Sequence, residues 1–508
     1  MLRSIFSNWL SLIIIGVIYF VLTPVLIHSL GDFYYGMWVL AMSVLDYYGL
    51  LDLGIRTTLH RFVGRLKGMN ERAALDETVA TALAISIGVC FLVLGLTLAL
   101  AYILPKFFVV PGAARRTFQL LVVFLGLSVG VLFPARVLGA YLCGLQRFDL
   151  YNLALISTAI LRAVLIVAVL HWGFGVVHVG AVTLGIAVLT LLLNRWLVHL
   201  ADPMVSLNLR RTSWARIREL SSFSFYAFLN TLGDYLRFYT DSVVIARMLS
   251  IALVTPFSVA GRLLSYFKEV VLGLAGPLMP RMSELEGQAK HSELRQLFLQ
   301  GTKAVALISL SIGSLILVSG KSLLSLWLGE RFVESYPLLL VLTAGYVVAL
   351  GQWPSRDVLY AKGRHRPLGC WTLAEGGANL LLSVYWARKY GLFGVALGTA
   401  VPMIVVAVLV QPWYVLRLMG ISLREYVQEA LLRPVIATGI FLAVCAIAMR
   451  GPAHASPGGF LFSLAWQGVL LTLLAYTVGL TQSERRIALQ RSKYLGGLAL
   501  RFARTAAR

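Results

Sequence analysis

Ionisable side chains inside long apolar runs are the residues here whose types and spacing could do chemistry. Asn230, Asp234, Arg237 and Asp241 recur at steps of four, three and four, which on a helix makes one polar stripe about three turns long. Such a stripe either ties helices together as an Asp–Arg–Asp ion network or handles an ion. Arg262, Ser265, Tyr266 and Glu269 share a second helical face, with Lys268 to one side and Arg262 near the middle of its run. Arg162 is central in another run, with Thr158 one turn before it. In "LLDLGIRTTLHRF", residues 50–62, Asp52 and Arg56 form an (i, i+4) pair of the favourable order, read as a local salt bridge. Asp46 lies within about 120° of both on a helical wheel, so that side should line water rather than lipid.

The acids suggest cation coupling. A charge at the bilayer centre costs a few kcal/mol and usually faces a cavity or a partner. Asp46, Asp234, Asp241 and Glu375 are therefore candidates for a proton or sodium site. A buried acid keeps its proton more readily, and a neighbouring Arg opposes this. Glu375, with Asn379 one turn on and no basic neighbour on its own face, is expected to be the better proton carrier, and Asp241, one turn from Arg237, the weaker.

The elements that position these residues must be membrane helices. With 59% hydrophobic and 13% charged residues and a mean hydropathy of +0.82, the 508-residue chain has too little polar surface for a soluble globule. A net charge of +22 could suggest nucleic acid, but the basic residues lie in short loops between apolar runs, so no nucleic-acid partner is expected. At about 20 residues per crossing, the chain reads as about fourteen spans. Their limits are near 9–28, 34–56, 79–102, 118–140, 152–170, 176–198, 222–246, 252–278, 302–320, 336–355, 368–386, 391–416, 430–449 and 460–480. The first is too long, and too directly followed by others, for a cleaved signal peptide.

With a cytoplasmic N-terminus, roughly 27 Lys and Arg fall inside, about 9 outside and about 8 within the spans, which predicts both termini in the cytoplasm. The inside clusters, Arg56–Arg72, Arg210–Arg218, Arg281–Arg295, Arg356–Arg366 and the tail from Arg485, read as topology signals and contacts with anionic membrane lipids. Cys90, Cys143, Cys370 and Cys445 sit singly in apolar stretches and read as packing residues. No loop exceeds about 25 residues, so function must sit among the helices. No phosphate-binding Gly-rich loop, metal cluster or nucleophile–base arrangement is present, so neither catalysis nor a metal or organic cofactor is expected. A transporter is favoured over an enzyme.

The segment Leu30–Leu75 overlays Leu249–Leu294 without gaps in hydropathy pattern, with Gly54 meeting Gly273 and Leu53 meeting Leu272. This implies an all-α integral membrane protein of two pseudo-repeated six-helix lobes, 1–205 and 222–416, and a C-terminal helix pair, 417–484. A cytoplasmic linker, 206–221, and a basic tail, 485–508, complete it, with Thr212–Tyr226 bridging the lobes.

On "LGDFYYGMWVL" (30–40), "LLDLGIRTTLHRFV" (50–63), "DSVVIARMLS" (241–250), "PLMPRMSEL" (277–285), "LWLGERF" (326–332) and "GLFGVALGT" (391–399), the chain resembles the oligosaccharide flippases. Their superfamily also contains the MATE multidrug exporters and the lipid II flippases. The resemblance runs nearly end to end. It implies a V-shaped pair of six-helix bundles plus two helices that moves a polyprenyl-diphosphate-linked oligosaccharide to the outer face of a bacterial cytoplasmic membrane by alternating access. It also implies a proton or sodium gradient or the membrane potential as driving force, with the polysaccharide polymerase and assembly machinery as partners.

For such a cargo Arg is apt, because its planar fork pairs phosphate oxygens bidentately. Arg162 in the first lobe and Arg262 in the second, with Arg56 at the cytoplasmic mouth and Tyr266 and Lys268 beside Arg262, are expected to bind the diphosphate on opposite walls of a central cavity. The alternative for Arg262 is neutralisation of Glu269. A cation-coupled exporter of small amphiphiles on the same fold is the competing reading. A membrane sugar polymerase or ligase lacks support, because the long extracytoplasmic loop with acidic catalytic residues is missing.

Overall fold

The computed structural model describes residues 2–52, 54–220, 225–448, 457–482 and 484–486. All regular structure among them is helical, as the composition predicts. The first helices are α1 (Leu2–Asp46), α2 (Ile55–Gly68), α3 (Arg72–Phe107), α4 (Gly112–Gly144), α5 (Phe148–His171) and α6 (Val176–Ala201). They are followed by α7 (Trp214–Leu220), α8 (Phe225–Met248), α9 (Val254–Ala275), α10 (Leu278–Gly287), α11 (His291–Leu328), α12 (Tyr336–Gly351) and α13 (Trp353–Ala361). The chain continues through α14 (His365–Val405), α15 (Gln411–Met419), α16 (Leu423–Tyr426), α17 (Leu432–Ala448) and α18 (Pro457–Leu474). The bridging segment is described only to Leu220 and again from Phe225, and the tail from 487 onward lies outside the described residues.

Among the described residues ten helical stretches are long and apolar enough to cross a membrane, against an expectation of about fourteen. Two of the ten, Leu10–Asp52 and Arg366–Met419, have 43 and 54 residues, roughly twice what one crossing needs. Each is broken at a glycine, Gly31 with φ 73° and Gly391 with φ 58°, a left-handed backbone that a side chain resists. α8 and α9, with 24 and 22 residues, are long enough, but they carry the polar faces read from the sequence and are not among the ten.

The helix expected over 34–56 does not run through. α1 ends at Asp46, a 3₁₀ turn covers Tyr47–Asp52, and Gly54 takes φ 75° before α2 begins. Asp52 and Arg56 are therefore not on one helix face, and they form no ion pair; Asp52 accepts the Arg56 backbone N–H instead.

By contact the chain forms two compact units, Met1–Val259 with Arg366–Thr399, and Ala260–His365 with Ala400–Arg508. In the first, α4 is the central helix: Leu138, Tyr141 and Leu142 are buried against Leu59 and Val63 of α2, Val79 of α3 and Val198 of α6. Gly144 lets α2 close in, since a Cβ there would lie 2.5 Å from Val63 Cβ. In the second unit α11 is central. Ser319 donates to Gln467 of α18 at 2.9 Å, and buried Lys303 reaches Glu484 at 2.9 Å. Large apolar side chains exposed on both units, such as Phe91, Leu153, Leu381 and Phe462, are the surface a bilayer would cover.

The repeat is visible in turn geometry. Asn70 and Ala289, 219 residues apart, both have positive φ, 59° and 54°. The bonds closing these two turns match: Glu71 N–H to Leu66 O beside Lys290 N–H to Leu285 O, and Asn70 N–H to Lys67 O beside Ala289 N–H to Glu286 O. Gln146 and Gly363 hold a second matching pair of turns, with φ 63° and 66°.

Candidate functional site

The polar stripe of α8 faces the first stretch of α14, within the first unit. Two glycines set the spacing of these helices. A Cβ on Gly233 would stand 2.4 Å from the carbonyl carbon and oxygen of Thr372, and one on Gly376 would stand 2.6 Å from Gly233 O. With backbones this close, short and long polar side chains meet across the seam. Arg237 Nη1 donates to Glu375 Oε1 at 2.7 Å, with both side chains buried. The Asn379 amide donates to Arg237 O at 3.1 Å, and Thr372 Oγ1 donates to Asn230 Oδ1 at 2.9 Å.

The sequence expectation for Glu375 is corrected here. Its own helix face carries no base, but Arg237 reaches it from α8. The expectation that Arg237 opposes protonation of Asp241 falls for the same reason. Fully buried Asp241 instead accepts from Thr399 Oγ1 at 2.7 Å, and it forms no ion pair. Its Oδ1 is left without a well-aligned donor, although Ser383 and Asn379 stand within reach.

Around Asp241 the oxygens accumulate. Ser383 Oγ donates to Asn379 Oδ1 at 2.9 Å and approaches Val395 O at 3.3 Å, and Thr399 Oγ1 approaches the same carbonyl at 3.2 Å. Val395 and Thr399 lie beyond the Gly391 break, on the arm of α14 that folds back over the first stretch. Gly398 permits this, since a Cβ there would meet Ser383 at 2.3 Å. A carboxylate, two hydroxyls, an amide oxygen and a backbone carbonyl make an all-oxygen donor set suited to a hard cation. Thr399, Ser383 and Val395 were missed in the sequence because an uncharged Ser, Thr or carbonyl in an apolar run carries no signal until its neighbours are known.

A second group gathers where α1 ends. Asp46, half-buried at the end of α1, lies with Arg136 and Asp52 in the electrostatic surroundings of Tyr235, and Asp52 also feels Arg56. Arg136 of α4, 5.6 Å from the Phe133 ring, is a further candidate in this group; a lone Arg inside the run 118–140 is its signal in the sequence. Tyr47 joins this group to α8. Its hydroxyl shares a 2.6 Å hydrogen bond with Thr240, and its ring stands 5.7 Å from that of Tyr235.

Arg162 on α5 hydrogen-bonds the Tyr19 hydroxyl of α1 and lies 5.3 Å from that ring, so it packs within the first unit and is not joined to Arg56. In the second unit Arg262, Tyr266 and Lys268 are half-buried on α9 and Glu269 is exposed. Arg262 and Glu269 do not pair, so the neutralisation considered for Arg262 is not formed. Asp234 is half-buried on the α8 stripe beside Arg237.

A family model described as polysaccharide biosynthesis protein matches residues 1–286. The uncharacterized membrane protein EpsK of Bacillus subtilis is 23% identical over 494 residues, covering 94% of this chain and 95% of that one. A putative O-antigen transporter of Shigella flexneri is 21% identical over 400 residues, covering 77% and 91%. Among solved structures, an inward-facing MATE-family multidrug resistance transporter of the MOP superfamily overlays with a TM-score of 0.72 at 18% identity, covering 80% of this chain and 95% of that one. The lipid II flippase MurJ in an inward closed conformation overlays with a TM-score of 0.71 at 11% identity, covering 94% and 98%. At these identities the overlays show a shared fold.

Proposed function

From the chain's membership of the polysaccharide biosynthesis protein family, we propose that it flips a polyprenyl-diphosphate-linked oligosaccharide from the cytoplasmic to the outer face of a bacterial membrane. The relative named as a putative O-antigen transporter and the fold shared with a lipid II flippase support this reading. The observation that carries it is Arg262, a half-buried guanidinium on a helix of membrane-spanning length, without a carboxylate partner among the described residues while Glu269 stays exposed. A half-buried guanidinium without a carboxylate partner is matched to an anionic group brought by the cargo, and phosphate oxygens suit its fork. Exposed Arg56 and half-buried Arg136 in the first unit offer further guanidinium groups, both near Asp52.

The oxygen cluster at Asp241 is the coupling site in this reading. It takes a sodium ion, or a proton on Asp241, and the driving force is the corresponding gradient. The fold shared with a MATE transporter favours a second reading, cation-coupled export of small amphiphiles. The Asp241 cluster serves either, whereas Arg262 serves only an anionic cargo.

Complementation separates them. Cells lacking this protein should accumulate the lipid-linked oligosaccharide and lose surface polysaccharide. At equal protein level, Arg262→Lys should restore export in part and Arg262→Ala almost not at all. Full export by Arg262→Ala, or recovery in Arg262→Ala/Glu269→Ala, refutes the cargo assignment. Amphiphile resistance without any surface polysaccharide selects the exporter.

A further inference from the structure

The end of α6 holds a formed cleft that the transport reading does not use. Leu192, Arg195, Trp196 and His199 fall at i, i+3, i+4 and i+7, one face of the helix. The chain turns at Asp202 and runs back alongside that face, so that these exposed side chains and the segment Val205–Asn208 border an open cleft of about 760 Å³. This volume lies within the roughly 300–1,000 Å³ of small-ligand sites.

The returning wall is fixed. Val205 N–H bonds Asp202 O at 3.2 Å, Ser206 N–H bonds Asp76 Oδ1 at 3.2 Å, and Ser213 N–H bonds Thr81 Oγ1 at 3.2 Å. The same acids are consumed by other bases. Asp202 takes Arg72 at 2.6 Å and the Tyr141 hydroxyl at 2.5 Å, and Asp76 takes Arg211 at 2.8 Å. Arg195 and His199 therefore have no carboxylate partner among the described residues. The cleft pairs an uncompensated cation with polar backbone and side-chain groups.

Its outer lip is apolar. Trp196 is 60% exposed, Leu192 and Leu200 are each 57% exposed, and Met204 just past the helix end is exposed as well. These residues close a stretch, Val176–Ala201, that is long and apolar enough to span a membrane. Trp at the end of a span sits at the headgroup level, with its ring among acyl chains and its polar edge toward water. A ligand filling this cleft has an anionic, hydrogen-bonding head and an apolar body that continues outward along Leu192.

We propose that this cleft is a binding site for the phosphate headgroup of an anionic membrane lipid, gripped by Arg195 and His199 and seated against Trp196. Charge complementarity selects the anion, and the exposed apolar lip selects a lipid over a free ion. With the Lys and Arg distribution placing this end of α6 inside, the lipid belongs to the cytoplasmic leaflet. The site is independent of the cargo reading, since none of its residues belongs to the clusters around Asp241, Arg56 or Arg262.

The test is native mass spectrometry of the full-length protein released from nanodiscs of equal phosphatidylglycerol and phosphatidylcholine. The wild type should retain one phosphatidylglycerol with about tenfold preference. Arg195→Gln/His199→Gln should retain the two lipids alike, and Arg195→Lys should keep part of the preference. Arg115→Gln/Arg116→Gln, which removes two exposed charges elsewhere, should leave it intact. Equal retention by the wild type, or loss of preference in the Arg115/Arg116 variant to the same extent, overturns the proposal. Displacement of the lipid by millimolar inorganic phosphate also overturns it, because the site would then read phosphate without its lipid.

Discussion

Replacing Glu375 distinguishes an acid that carries protons from one that holds helices together. Arg237 and Glu375 meet at 2.7 Å with side chains only 8% and 4% exposed. Glu375→Leu strands a buried guanidinium, and removing one partner of a buried pair costs about 3–5 kcal/mol. Glu375→Gln leaves a neutral acceptor for Arg237 and gives up only the charge-assisted part of the bond, about 1–1.5 kcal/mol. Arg237→Leu/Glu375→Leu removes both desolvation penalties and is expected within about 1 kcal/mol of wild type or above it. The order of stability is therefore double variant, Gln, then Leu.

Chemical unfolding of the purified protein in detergent, followed by tryptophan fluorescence, reads this order. Transport at varied cation gradients, measured on the same variants, reads function. The double variant should regain stability and keep its cation dependence, because Asp241 and its oxygen neighbours are untouched. The reasoning is refuted if Glu375→Gln keeps wild-type stability yet loses cation dependence, since Glu375 would then be the coupling acid and its bond to Arg237 incidental.

Asp241→Asn should abolish cation-dependent transport, and Thr399→Val should weaken it about tenfold in the concentration of cation required, both read by transport across a sodium or proton gradient. Gly233→Ala should destabilise by about 1–3 kcal/mol, since its Cβ meets backbone of Thr372 that cannot rotate away; unfolding in detergent measures this. Burial raises the Asp202 carboxyl, but the Arg72 and Tyr141 hydrogen bonds outweigh it and hold the group below its ordinary 3.8. The stability it adds is thus complete above about pH 4 and is lost as pH falls through the lowered folded value, so Asp202→Asn should be less stable near neutrality and converge on wild type in acid. Reporter fusions after Gly173, Glu330 and Pro457 should report outside, and those after Gln288 and the C-terminus inside; a cytoplasmic signal at Gly173 with an outside signal at Gln288 refutes the topology.

What the sequence showed was whatever repeats along one helix. The α8 stripe and the all-helical class follow from hydropathy and spacing, and the structure bears them out; the 219-residue offset of the hydropathy overlay is also the offset between the turns at Asn70 and Ala289. What it hid lies across helices or in the backbone. Glu375 is 138 residues from Arg237, and nothing on either helix names the other. The span limits 28/34 and 386/391 already mark the breaks at Gly31 and Gly391, but hydropathy runs smoothly through 47–54, so the break at Gly54 leaves no trace there and a helical wheel drawn through Asp46, Asp52 and Arg56 joins residues that are not on one helix. The polar content that made α8 and α9 stand out also removes them from a count by hydropathy.

Two of the bonds between α8 and α14, Arg237–Glu375 and Asp241–Thr399, reach different arms of α14. The Arg237–Glu375 pair and the Gly233–Gly376 approach bind α8 to the first arm of α14 with backbone contacts that leave no room to slide. Asp241 instead bonds Thr399, on the second arm, across the Gly391 break. In the proposed reading a cation among the Asp241 oxygens would compete for the carboxylate that now accepts from Thr399, and so would act on the second arm rather than the first. A ligand shifts an equilibrium only by its difference in affinity between two arrangements. Here that difference is the count of oxygens the second arm supplies, Thr399 Oγ1 and Val395 O. Glu375 does not serve this purpose in that reading, because it lies before the break and its partner Arg237 is on α8. Coupling through Asp241 therefore requires Gly391 to remain the joint, and the ion pair to remain intact while the joint moves.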